Sequence, residues 1–70
     1  MMPLLIAPSD TDLRIVKIVA DDKIKSHLFD LGITIDSIVR LKRSGKNVIL
    51  IVKGIRLAID NDILSRIFVN

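Results

Sequence analysis

The stretch SIVRLKRSGKNVILIVKGIRLAI, residues 37–59, constrains this chain more than any other part of it. Its apolar residues alternate at period 2 and it reverses at two glycines, Gly45 and Gly54, the pattern of short antiparallel strands joined by tight turns. Val39 and Leu41 point one way and Arg40 and Lys42 the other. After the SGK turn around Gly45, Val48, Leu50 and Val52 alternate with Ile49 and Ile51, so the returning strand is apolar on both faces. That suits a central strand with a barrel interior on one side and a helix, or another chain, on the other. Gly54 then permits a second reversal into IRLAI, in which Ile55, Leu57 and Ile59 face alike.

Upstream, the β-branched segment Asp12 to Ala20 reads as a strand with a break in parity. Leu13 and Ile15 share one face and Val16 and Ile18 the other, which a bulge or sharp bend reconciles. ADDKIKSHLFDLGI predicts a short amphipathic helix. Asp21 or Asp22 caps its first N–H groups, and Ile24, Leu28 and Leu31 form one apolar stripe. Gly32 follows where helices end in a left-handed residue. Near the C-terminus, DNDILSRI predicts a capped helical turn from Asp60 with Ile63 and Ile67 at i and i+4, before a last short strand, IFVN.

Such an order predicts a mainly β fold with one short helix: a small, partly open barrel of about five strands, forming one domain over residues 1–70. A chain of 70 residues is near the lower size at which one core holds a fold without cross-links. With Phe29 and Phe68 the only aromatics, that core is aliphatic.

The residue inventory argues against catalysis. There is no cysteine and no glutamate, and a lone histidine, His27, lies one helical turn from Asp30 with nothing to complete a metal set or a nucleophile–base pair. A surface histidine near a helix end is the simpler reading, and Asp21 beside Asp22 reads as a cap rather than a carboxylate pair. Three isolated glycines form no phosphate-cradling motif. The expectation is a protein without enzymatic activity, cofactor or metal. The N-terminal MMPLLIAPSD has no basic flank and too short an apolar run for a secretion signal. The longest later run, VILIV, is far short of the roughly 20 residues of a spanning helix. A cytoplasmic location is expected.

Recognition remains, and charge says where. Residues 1–36 carry four cations against six aspartates, a net −2, whereas residues 37–70 carry seven against two, a net +5. Arg40, Lys42, Arg43, Lys46, Lys53 and Arg56 follow one another with no acidic residue between them. Such a run is either a solvated, edge-protecting face or a docking surface for an acidic protein, anionic lipid or nucleic acid. No aromatic is interleaved for base stacking, which places nucleic acid behind the others. The two-sided strand Val48 to Val52 leaves self-association open as well.

With these residues in view, the sequence resembles the FeoA family of small ferrous iron transport proteins, which have an SH3-like barrel. The resemblance runs from about Leu13 to Asn70. It rests on LFDLGI, similar to the family's LxxLG followed by an aliphatic residue, and on Val39, which opens the alternating strand seven residues after Gly32. Gly54, the segment Leu57-Ala58-Ile59 at the turn into the last helix, and the closing IFV complete it. Two departures stand out: Ile35-Asp36 occupies the place where the family often has Pro-Gly, and the hairpin tip is a bare SGK. The resemblance implies a non-enzymatic cytosolic accessory protein that docks on the cytosolic part of the FeoB-type membrane transporter. It would touch the membrane only through that partner. Leu28, Leu31, Gly32, Gly54 and Ala58 would shape the fold, and Arg40, Lys42, Arg43, Lys46 and Arg56 would meet the partner. A basic nucleic-acid-binding barrel, a stand-alone metal-regulatory module and a homo-oligomer are the alternatives.

Overall fold

A computed structural model describes every residue from Met1 to Asn70. The elements in chain order are β1 (Met2–Pro3), a 3-10 turn (Leu4–Ile6), β2 (Leu13–Ile18), α1 (Asp22–Asp30), β3 (Ile38–Ser44), β4 (Asn47–Val52), β5 (Ile55–Ala58), α2 (Asn61–Leu64) and β6 (Ile67–Val69). All six strands belong to one antiparallel sheet in the order β1-β6-β2-β3-β4-β5, whose two ends do not pair. The result is the mainly β, partly open barrel expected. It has one strand more than the estimate of about five, because Met2 and Pro3 pair with Val69 and Phe68.

The parity break in β2 is a bulge. Ile15 pairs with Val69 and Lys17 with Phe68, so one extra residue enters β2 at that point. Leu13 and Ile15 face the core before it, and Ile18, paired with the buried Ile67, turns inward after it.

Both hairpins use two-residue loops, and the backbone says why glycine is needed. In the β4–β5 loop Lys53 and Gly54 both have positive φ, 51° and 78°, the requirement of a type I′ turn. In the β3–β4 loop only Gly45, at 60°, does so, the sign pattern of type II′.

Helix α1 starts and stops as its residues dictate. Asp21 Oδ1 accepts the Ile24 N–H at 2.9 Å. At the other end the Ile33 N–H bonds to the Leu28 carbonyl and the Gly32 N–H to the Phe29 carbonyl, both at 2.9 Å, with Gly32 at φ 86°. This is a complete Schellman motif, and its apolar partners, Leu28 and Ile33, are both buried. Helix α2 departs from expectation. Asp60 makes no side-chain cap, and the helix spans one turn in which Leu64 carries the burial; Ile67 belongs instead to β6.

Thirteen residues form the core, all Leu, Ile, Val or Ala, and neither phenylalanine is among them. Leu4 and Ala7 come from the N-terminal segment, to which no structural role was assigned from sequence. LLI has no period that reveals which of its residues points inward.

Candidate functional site

Register determines which side chains share the outer face of β3, β4 and β5, because residues directly opposite one another project to the same side. Arg40 pairs with Ile51 and Ile51 with Arg56, while Lys42 pairs with Ile49 and Ile49 with Ala58. Two cross-strand rows result, Arg40–Ile51–Arg56 and Lys42–Ile49–Ala58. Of the helices, only Asn61 at the start of α2 comes beside them, in an open hollow shared with Lys46, Ile49, Ala58 and Asp60. Ile49 and Ile51 are half-buried in a frame of cations, whose aliphatic stems cover apolar surface while their charges reach water. Lys46 at the β3–β4 tip and Lys53 in the β4–β5 turn extend the charge to both ends.

The cations expected to act together do not share one fate. Arg40 Nε donates to Asp12 Oδ1 at 2.6 Å in an exposed ion pair, so its charge is offset locally. Arg43 is committed to the fold: its Nη2 donates to the carbonyl oxygens of Leu5, at 2.7 Å, and Ala7, at 2.9 Å. Lys42, Lys46, Lys53 and Arg56 form no ion pair and no side-chain hydrogen bond, and all four are exposed. The free positive charge is therefore smaller than the sequence run implies and is displaced towards β4 and β5. Nothing in a linear sequence reveals partners 28 and 38 residues away.

The remaining marked residues occupy separate places. His27 and Asp30 are both exposed, and no hydrogen bond joins them. Gly32 lies against the core strand, where an added Cβ would meet Val52 Cγ1 at 3.6 Å. Leu31 is half-buried against the core, whereas Ala58 is exposed at the end of β5. Ile35 and Asp36 are the central residues of a turn closed by the Ser37 N–H on the Thr34 carbonyl at 3.1 Å, with Asp36 at φ 73°. Positive φ at the third residue is the type II pattern, for which Pro-Gly is the favoured central pair. Asp36 holds the turn with an ion pair to Arg14 at 2.9 Å, and the Ser37 hydroxyl donates to the Gly32 carbonyl at 3.1 Å.

A feature that sequence reasoning missed is the exposed Phe29, 67% accessible, beside an open apolar groove with Ile18, Ile33 and Ile35. It follows the buried Leu28 and falls off the Ile24–Leu28–Leu31 stripe, which was the available signal. No set of three His, Asp, Glu or Cys side chains converges as metal ligands. No helix is long and apolar enough to cross a membrane.

Comparison with known proteins agrees with this architecture. No curated protein sequence is significantly similar to the chain. Among solved structures, a crystal structure of an iron uptake regulatory protein, FeoA, solved by sulfur SAD, superposes with a TM-score of 0.85 at 23% identity, covering 99% of this chain and 93% of that one. At that identity the likeness speaks for the SH3-like fold. The FeoA domain family itself matches residues 2–70, which extends the resemblance through β1 and the 3-10 turn that close one end of the sheet. Over nearly its whole length, then, this chain belongs to the FeoA domain family.

Proposed function

We propose that this chain is a non-enzymatic accessory protein of ferrous iron uptake, acting in the cytoplasm by docking on the cytosolic part of a FeoB-type transporter. Family membership supports the process, and the similarity to an iron uptake regulatory protein is in keeping with it. The observation that carries the docking is the outer face of β3 to β5, where Lys42, Lys53 and Arg56 stand unpaired around the half-exposed Ile49 and Ile51. An apolar centre with a charged rim is the anatomy of a protein-binding surface. Unpaired rim charges act chiefly on encounter rate and partner choice. The partner surface is accordingly acidic at its rim and aliphatic at its centre.

The test is a titration of labelled protein against the purified transporter at low and high salt, with an oligonucleotide of matched charge as control. Saturable binding to the transporter is expected, with the double variant Lys42→Glu/Arg56→Glu weakening it at least tenfold, mainly through a slower on-rate. Arg40→Ala should matter less, because its charge is already offset by Asp12. Binding to the oligonucleotide alone, lost in salt, would replace this reading with a nucleic-acid-binding one. The face offers little to bases: Phe68 lies on β6 and Phe29 on α1, both away from these rows.

A further inference from the structure

The two ends of the sheet are finished differently. The β1 end is two residues long and carries Pro3, whose nitrogen cannot donate, so it is blunted against pairing. The β5 end is four residues long, has no proline, and pairs on one side only. Val52 and Ile55 flank a two-residue loop and so exchange hydrogen bonds. By the alternation of an antiparallel ladder, Leu50 and Leu57 do so as well. The N–H and C=O groups of Arg56 and Ala58 therefore point away from β4 towards the open side.

Side chains on β5 show what would suit that edge. Arg56 and Ala58 lie on the outer face, continuous with Lys42 and near Lys53. Ile55 and Leu57 lie on the inner face, where the barrel fails to close; Ile55 is 63% exposed, a large apolar side chain with nothing over it.

We propose that β5 is a receptor edge onto which a partner protein adds an extended strand, with acidic residues alternating with aliphatic ones. This rests on the docking reading above and gives its mode. Backbone groups of the added strand pair with those of Arg56 and Ala58. Its acidic side chains, on the outer face, meet Arg56 and Lys53, while Lys42, three strand spacings away on β3, adds only to the positive field; its aliphatic ones, on the inner face, cover Ile55 and Leu57. Main-chain bonds supply affinity in such strand addition, and alternate side chains supply selectivity. The charge favours an acidic partner strand over a second copy of the chain, since self-pairing through β5 would gather the same unpaired cations from both copies.

The experiment is an NMR titration of the full chain with a capped hexapeptide of alternating Glu and Val at millimolar concentration. Saturable shifts centred on the Arg56 and Ala58 amides are expected, with exchange of both slowed more than tenfold. N-methylation of one alternating set of peptide amides should abolish binding and of the other set should leave it, and a Lys-Val peptide should not bind. Ala58→Pro removes an edge donor without costing a ladder bond to β4, so this variant should keep the native spectrum and lose the peptide. Equal response to both methylated peptides, shifts confined to other strands, or no binding would overturn the proposal. So would doubling of the protein's own mass on sedimentation with matching β5 shifts, which would assign the edge to a second copy. Against the transporter, full binding by Ala58→Pro alongside loss by Lys42→Glu/Arg56→Glu would retain docking and reject strand addition. Absence of wild-type binding would reject docking, with the peptide result still deciding the edge.

Discussion

Three residues, Gly32, Lys53 and Asp36, hold left-handed conformations, one because it lacks a side chain and two in spite of having one. Gly32 closes the Schellman motif at φ 86°, and a Cβ there would be at ordinary contact distance from Val52. A loss on Gly32→Ala would therefore report the backbone rather than a clash. Gly32→Val should lower stability by about 1–2 kcal/mol, because a β-branched residue tolerates the left-handed region badly. Gly32→Asn should lose less. The check is the denaturation midpoint at unchanged m-value. Lys53 pays the opposite penalty, a long side chain held at φ 51° in a type I′ turn whose preferred pair is Asn-Gly. Lys53→Asn should raise stability by about 0.5 kcal/mol, read as a higher midpoint. Asp36 adopts φ 73° where the family often has glycine, and aspartate is among the residues that visit this region most readily.

Among the elements, the N-terminal segment and β3 are tied through Arg43. Its two bonds to the Leu5 and Ala7 carbonyls hold the turn that delivers Leu4 and Ala7 to the core. Arg43→Ala should cost about 1–2 kcal/mol, as expected for charge-assisted hydrogen bonds. It should also speed amide exchange at Ala7, whose N–H bonds to the Leu4 carbonyl at 3.1 Å, more than at the β3–β4 ladder. Uniform loss of protection across both would mean that the segment and the sheet unfold together. Lys42, one residue away on the opposite face, has no such duty, so Lys42→Ala should leave the midpoint unchanged within about 0.5 kcal/mol.

For the whole molecule, size sets the margins. A chain of 70 residues is held by roughly 4–10 kcal/mol. Leu4 is fully buried, and Leu4→Ala should remove about 2–4 kcal/mol, a large share of the total, and lower the melting temperature clearly. Thermal unfolding followed by far-UV circular dichroism reads this directly. Native stability after that change would mean that the N-terminal segment is dispensable to the core. The accessible surface is 4549 Å², so a standard interface of about 800 Å² per partner would occupy roughly a sixth of it. One such face covers the outer side of β3 to β5, and the groove beside Phe29 lies outside it.

Local chemistry made much of this fold legible before any coordinates. Period-2 alternation placed β3, β4 and β5, the parity break marked a bulge or bend in β2, and Asp21 or Asp22 with Gly32 bounded α1, since each signal depends only on backbone sterics and near neighbours; the structure then chose the bulge and Asp21. The N-terminal strand was not legible, because two residues carry no period and β1 exists only by pairing with β6 at the far end of the chain. Neither was the division of labour among the cations. Arg40, Lys42 and Arg43 are adjacent or nearly so in sequence and chemically alike, yet one pairs with Asp12, one is free and one holds the N-terminal carbonyls. Composition and pattern set the strands, turns and aliphatic core; folding then selected which charges stay free and which sheet edge stays open, because both depend on groups that meet only when distant segments pack together.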